Sequence, residues 1–242
     1  MHTGLYSAST GLHAAEIAQQ AVAQNLAHLN VPGYRQAVPT FETFEAALGQ
    51  ASTVPHERLG TYVQETRYNF EPGEFQETGR KLDFAIAGDG FFVVEGPEGP
   101  LYTRNGVFFV GIDGSLVNSD GLSIGGSGGP IVLPRDVTPS EIVVDRTGRV
   151  TVGDLGVGQL EIVAFEDPQQ LESVGSTLFR AGRDARQVES VAKVMQGTRE
   201  GANISVANEL VRMITIMRHY EASQRSLRTI AEAIQQSTRP QG

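Results

Sequence analysis

A heptad repeat of apolar residues at each end of the chain most constrains the fold. Steps of four and three residues join the apolar positions of residues 205–236, and the same alternation runs through the first 30 residues. Gln19 and Gln224 each interrupt a stripe, and a single polar residue in an apolar seam commonly fixes register or partner number. The positions predicted to form an assembly seam are Leu5, Leu12, Val22, Leu26, Leu29, Val206, Leu210, Met213, Met217, Tyr220, Leu227 and Ile234.

The energetics of these stripes favour an assembly role. Ordering a backbone costs roughly 1 to 2 kcal/mol per residue, and a narrow stripe that touches one partner is only partly buried. A single helix pair is therefore marginal, and we expect neighbouring subunits to supply the missing contacts. The alternative, that the stripes belong to ordinary core helices of a monomer, is weakened because both ends carry the same strict spacing.

The middle of the chain has the alternation and punctuation of β-hairpins. From about residue 73 to 165, short apolar runs are separated by turn pairs such as Asp89-Gly90, Asp113-Gly114 and Thr147-Gly148. The first helix should end at residues 30–33, Asn-Val-Pro-Gly, since proline cannot continue a helix and glycine tolerates positive φ. The pattern predicts a compact antiparallel β domain between two helices.

The predicted fold class is α+β. Long N- and C-terminal helices are expected to form an antiparallel, coiled-coil-like inner domain, beside a central domain that is β-rich and mainly antiparallel. The predicted boundaries are 1–34 for the N-terminal helix of the inner assembly domain, 35–72 for an extended connector, 73–198 for the central β-rich domain and 199–242 for the C-terminal helix of the inner domain.

Composition and motifs argue against several function classes. The net charge of −9 is unlike the basic footprint of a nucleic-acid-binding protein. The chain has no cysteine, and its histidines lack the close helical spacing of a metal site. Residues 125–129 formally match a nucleophile elbow, but a strand is predicted where the elbow needs a helix. We therefore predict no catalytic, cofactor or metal site, no nucleic acid partner and no membrane span.

Three blocks resemble the rod and hook family of bacterial flagellar axial proteins. Residues 25–35, Asn-Leu-Ala-His-Leu-Asn-Val-Pro-Gly-Tyr-Arg, are similar to its N-terminal signature, with His28 and Val31 in place of Asn and Thr. Residues 82–92 and 102–108 resemble the central block, and residues 200–204 the C-terminal signature, with Ala202 where the family usually has Ser. The matching motif and helix-stop residues are Asn25, Asn30, Pro32, Gly33, Tyr34 and Asn203.

The resemblance implies a structural subunit of the flagellar basal-body rod, the drive shaft across the periplasm, rather than an enzyme. It implies self-assembly through the terminal helices with the same and related axial proteins, and type III export through the flagellar export apparatus without a cleaved leader. The short central domain favours a rod protein over a hook protein, and residues 5–11 favour the proximal type. A distal-rod or other axial protein is the alternative, and a dimeric β-domain enzyme or binding module is the competing class.

Overall fold

The computed structural model describes residues 2–43, 61–135 and 137–238. Internal contacts divide the chain into two compact units, and each unit is built from segments that are distant in sequence. Unit 1 consists of Met1–Ala27, Ala37–Asn69 and Ile204–Gly242, whereas unit 2 consists of His28–Gln36 and Phe70–Asn203.

Unit 1 contains two helices and one strand pair. Helix α1 spans His2–Ala27 and helix α2 spans Val206–Thr238. Strands β1 (Ala37–Thr43) and β2 (Thr61–Tyr68) pair in antiparallel register with a bulge between Thr40 and Phe41. Ser205 precedes α2 and accepts the first helical hydrogen bond, from the Glu209 amide at 3.0 Å, as expected of an N-cap residue. Neither described helix has a stretch long and apolar enough to cross a membrane.

The prediction that the terminal helices form a coiled-coil-like inner domain is wrong. The two described α-helices share unit 1 with β1 and β2, and α1 packs against both strands as well as against α2. Three predicted seam positions of α2 remain exposed, Val206 at 40%, Leu210 at 48% and Met217 at 46%. The heptad repeat identified apolar positions, but it carries no information on which element covers them. Most of the remaining described elements of regular secondary structure are β-strands.

Unit 2 is built from short strands, all paired in antiparallel register. In chain order they are β3 (Phe75–Glu77), β4 (Phe84–Ala87), β5 (Phe91–Gly96), β6 (Gly99–Thr103), β7 (Phe109–Val110), β8 (Leu116–Val117), β9 (Gly125–Gly126), β10 (Gly129–Pro130), β11 (Ile142–Val144), β12 (Arg149–Val152), β13 (Leu155–Gln159), β14 (Ile162–Phe165), β15 (Leu171–Ser173), β16 (Leu178–Ala181), β17 (Gln187–Glu189), β18 (Lys193–Gln196) and β19 (Thr198–Glu200).

The strands of unit 2 form one large sheet and several small ones. The six-stranded sheet has the order β15-β16-β6-β5-β14-β17, and a three-stranded sheet has the order β11-β12-β13. The last two strands return to the beginning of the unit, because β18 pairs with β4 and β19 pairs with β3. Residues 193–200 are therefore tied to residues 75–87 by backbone hydrogen bonds.

The core of unit 2 is aromatic and aliphatic. The ring of Phe92 meets the ring of Phe108 edge-on, with centroids 5.5 Å apart, and both side chains are fully buried. Ile124, Ile142 and Val150 are equally buried in the same cluster. Burial of a side chain of this size contributes about 1.5 to 3 kcal/mol relative to exposure, so this cluster is a main source of the stability of unit 2.

The turn between β11 and β12 shows how a short polar sequence fixes a hairpin. Asp145 accepts hydrogen bonds from the Thr147 hydroxyl at 2.6 Å, the Thr147 amide at 2.8 Å and the Arg149 amide at 3.0 Å. Gly148 closes the turn with φ +83°, a conformation that side chains disfavour. The hydrogen bonds from Thr147 and Arg149 lower the pKa of the Asp145 carboxyl.

Candidate functional site

The three family-like segments converge on one buried carboxylate in unit 2. An Nη of Arg35, from the first segment, lies 2.6 Å from Oε1 of Glu200, and both side chains are completely buried. An Nη of Arg104, from the central segment, lies 3.4 Å from the other carboxylate oxygen, and the Arg104 side chain is 6% exposed. We call Arg35, Arg104 and Glu200 the charge cluster. Its sum of charges is positive, because two guanidinium groups share one carboxylate.

Backbone groups complete the surroundings of Glu200. The Gly73 amide donates to its Oε1 at 3.0 Å, and the Gly33 amide donates to its carbonyl oxygen at 2.8 Å. Next to it, the Gly201 amide donates to the carbonyl of Glu74 at 2.8 Å. Hydrogen bonds from guanidinium groups to a carboxylate are shorter and stronger than those between neutral groups.

Arg104 links the charge cluster to the large sheet. It donates to the carbonyls of Ile86 at 3.0 Å and Gly88 at 2.7 Å, and its guanidinium lies over the ring of Phe91, 5.4 Å from the centroid. Burial lowers the pKa of Arg104, and the positive charge of Arg35 lowers it as well, whereas Glu200 opposes the shift. The cation is thus held in place by acceptors that come from strand ends.

Gly33 occupies a place that no other residue type can fill without strain. Its φ is +70°, and a Cβ at this position would lie 2.2 Å from the amide nitrogen of Asn105. Next to it, Tyr34 is buried and its ring stacks on His28, with centroids 4.8 Å apart and an angle of 3°. Glycine therefore allows residues 28–36 to approach the central segment closely.

Asn203 is the polar anchor of the third segment. Its side-chain oxygen accepts from the Gln36 amide at 2.8 Å, and its side-chain nitrogen donates to the carbonyl of Glu71 at 2.8 Å. Its own amide donates to the carbonyl of Tyr34 at 3.4 Å. Asn203 thus holds residues from both sequence segments of unit 2.

Asn25 has a comparable role inside unit 1. It is buried, and it exchanges two hydrogen bonds with the backbone of Ala37, one from Nδ2 to the carbonyl at 3.0 Å and one from the amide to Oδ1 at 2.9 Å. The side chain thus imitates a neighbouring β-strand at the start of β1. Of the other motif residues, Asn30 is exposed and Pro32 is half-buried, both in unit 2.

The predicted seam positions of unit 1 differ in burial. Val22 is buried, whereas Leu12, Leu26, Met213, Tyr220 and Leu227 are half-buried, and Gln19 is exposed while Gln224 is half-buried. Leu29 belongs to unit 2, where it is half-buried. The side chains of Leu5 and Ile234 lie outside the described part of the chain. On α2, exposed apolar residues at 206, 210, 214 and 217 fall on one side of the helix.

Unit 1 also contains an apolar groove of about 320 Å³ between α1, β1 and α2. Its walls include Ala18, Val22, Pro39, Val211 and Ile216. It lies within the unit whose helix α2 also presents the exposed apolar positions.

Sequence reasoning missed the charge cluster, although it quoted all its members as parts of motifs. Each family-like block contains one member of the cluster, Arg35, Arg104 or Glu200, but the central block also contains Asp83 and Asp89. Oppositely charged residues in separate apolar blocks can pair only if the fold brings them together, and sequence spacing does not reveal this. Within the described ranges, there is no group of three or more side chains suited to a metal ion.

Two family models match the chain. Residues 85–152 match the D1 domain of the flagellar hook protein FlgE/F/G, and residues 195–239 match the C-terminal part of the flagellar basal-body rod FlgEFG proteins. The first range contains Arg104 and the second contains Glu200 and Asn203. The models thus cover two of the three segments that meet at the charge cluster.

Curated relatives match over nearly their whole length. The flagellar basal-body rod protein FlgG of Agrobacterium fabrum is 31% identical, over 93% of this chain and 94% of its own. FlgG of Borreliella burgdorferi is 29% identical over 95% of each chain, and FlgF of Mesorhizobium japonicum is 28% identical over 100% of this chain and 99% of its own. The resemblance to the rod and hook family is confirmed. Assignment to the proximal rod remains a prediction, because relatives named FlgF and relatives named FlgG both match the chain. The chain belongs to the family of flagellar basal-body rod proteins to which FlgF and FlgG belong.

Proposed function

We propose that this structural subunit of the flagellar basal-body rod assembles through one apolar face of α2. The face consists of Val206, Leu210, Ile214 and Met217, and each of these side chains is between 40% and 52% exposed. This exposed face is the observation that carries the proposal.

The exposed face fits a subunit interface better than a monomer surface. Soluble monomers expose single apolar residues, whereas a contiguous apolar patch marks a site of interaction. The four residues follow one another at helical spacing, so a partner helix or strand can cover them together. We propose that the partners are other copies of this chain and related axial subunits of the rod, which family membership supports.

The remaining parts of this function rest on the family. We propose a structural rather than catalytic role in the basal body, export through the flagellar export apparatus, and a place in the proximal rod. The domain proposal keeps the predicted boundaries. Residues 1–34 and 199–242 form the helical assembly segments, residues 35–72 the connector and residues 73–198 the β-rich centre. The predicted seam residues of α1, among them Leu12, Val22 and Leu26, are proposed to take part in the same assembly.

Two substitutions on the proposed face test the assembly site. Leu210→Asp and Met217→Asp place a charge on it, and we expect incorporation into isolated basal bodies to be lost, since burying an unpaired carboxylate at an interface is costly. The free energy of unfolding of the monomer should fall by only about 1 kcal/mol, because roughly half of each side chain is already exposed.

Val188→Asp on β17 is the matched control, because Val188 is 45% exposed in unit 2. This variant should enter basal bodies normally. Normal incorporation of both α2 variants would refute the proposed face. A stable dimer of the purified protein that survives Leu210→Asp, measured by analytical ultracentrifugation, would favour the dimeric binding module instead.

A further inference from the structure

The two buried arginines of unit 2 depend on a carboxylate that comes late in the chain. Among the described residues, Glu200 is the acidic side chain within ion-pair distance of Arg35 and of Arg104. It follows Arg35 by 165 residues and Arg104 by 96 residues. Glu200 ends β19, the last strand of the unit.

We propose that Glu200 is a latch that makes folding of unit 2 conditional on docking of residues 193–200, which form β18 and β19. A guanidinium group can be buried only when it is paired, since an unpaired buried charge is strongly unfavourable. Until β19 docks, Arg35 and Arg104 must stay in water, and the segments that carry them cannot reach their final places. Partly folded forms of unit 2 that lack β19 are therefore disfavoured.

Opening of the folded protein meets the same penalty. If β19 leaves its place, Arg35 and Arg104 remain buried without Glu200. The free-energy cost of these two unpaired cations then destabilises the whole unit. Opening of β19 is thus coupled to unfolding of the large sheet, because Arg104 is held by the ring of Phe91 on β5 and by the carbonyl of Gly88 just before that strand.

Strand pairing alone would not produce this coupling. Strand β19 is three residues long, and its partner β3 is exposed along its whole length. A short strand on an exposed partner ordinarily opens locally, long before the core unfolds. Strong protection of β19 would therefore have to come from the buried side chain of Glu200 and the contacts around it.

Native-state hydrogen exchange of the full chain tests the latch. We expect the amides of Thr198–Glu200 and those of Phe91–Val94 to have the same equilibrium constant for opening. The ratio of the β19 constant to the β5 constant should therefore be near one. The triple variant Arg35→Met, Arg104→Met, Glu200→Leu replaces the charges by apolar groups and should keep the unit folded. In this variant the amides of β19 should open at least about tenfold more readily than those of β5.

The exposed pair Arg180 and Glu98, 2.7 Å apart, provides the matched control. Arg180→Met combined with Glu98→Leu should leave the ratio near one. Local opening of β19 in the wild-type protein, tenfold or more above β5, would overturn the proposal, and so would an unchanged ratio in a folded triple variant. If the triple variant does not fold, the wild-type ratio decides alone.

Discussion

The two units differ in the unusual side chains that they group together, buried charges in unit 2 and exposed apolar residues in unit 1. Unit 2 buries charges, and Arg35 and Glu200 are fully inaccessible yet paired at 2.6 Å. Unit 1 instead leaves apolar residues in water, along the face of α2 that includes Leu210 and Met217. The contrast separates two uses of sequence. The buried charges of unit 2 complete the fold, whereas the exposed apolar residues of α2 in unit 1 are available for contacts outside the chain.

Breaking the charge cluster of unit 2 should produce the largest loss of stability. Glu200→Gln removes the carboxylate and leaves two buried cations unpaired, so we expect a loss of about 3 to 5 kcal/mol in the free energy of unfolding of unit 2. Urea unfolding followed by circular dichroism measures it. Glu189→Gln, an exposed residue of β17, is the control and should change little. A Glu200→Gln protein of wild-type stability would show that the pair is not needed for the fold.

A close backbone approach should give the next largest effect. Gly33→Ala places a Cβ 2.2 Å from the amide nitrogen of Asn105, at a φ of +70°, so we expect a loss of roughly 3 kcal/mol from left-handed strain and overpacking together. Gly79 has the same φ of +70° but no atom within 4 Å of such a Cβ, so Gly79→Ala isolates the conformational cost of about 1 to 2 kcal/mol. Equal losses in the two variants would exclude the steric contribution.

Unit 1 has its own buried polar contact, and removing it tests how far the contrast extends. Asn25→Ala deletes both hydrogen bonds to Ala37 and leaves two backbone groups unsatisfied, which should cost about 1 to 3 kcal/mol. Gln20→Ala, at an exposed position of α1, is the control. Hydrogen exchange of β1 should rise in the Asn25 variant alone, and unchanged exchange there would mean that β1 is held by its other contacts.

The smallest effect is expected from an exposed turn of unit 2. Asp145 has a lowered pKa because Thr147 and Arg149 donate to its charged form, so its contribution to stability is present above the unfolded pKa of about 4 and is lost as pH falls through the folded pKa. Asp145→Asn should therefore lower the melting temperature at pH 6, and this loss should become smaller as the pH falls below about 4. Asp154→Asn, at the exposed β12–β13 turn, serves as control. An Asp145 effect independent of pH would contradict this account.

Local signals predicted the turns of unit 2 well. Asp113-Gly114 and Thr147-Gly148 were expected to be hairpin turns, and the structure places them between β7 and β8 and between β11 and β12, with positive φ at both glycines. Tight turns need residues that tolerate particular backbone angles, so their sequence identifies them without reference to the rest of the fold.

Long-range features were not predictable in the same way. The heptad repeat indicated helices at both ends, which α1 and α2 confirm, but it did not reveal that β1 and β2 share their unit. The pairing of Arg35 with Glu200 cannot be read from periodicity. Both residues lie in short motifs, Arg35 after Tyr34 and Glu200 before Gly201, which have no repeating pattern. Which surfaces meet depends on the packing of the whole unit, and a single sequence records this only indirectly.

The long separation between Arg35 and Glu200 has a consequence for variation in chain length. The entropy of closing a loop grows only logarithmically, by about 0.6 kcal/mol for each doubling of its length. Against a separation of 165 residues, an extra hairpin or a lengthened turn adds only a small part of that cost. Exposed turns such as the one at Gly153 and Asp154 can therefore accept short inserted segments, including a peptide affinity tag, while the ends of unit 2 still meet.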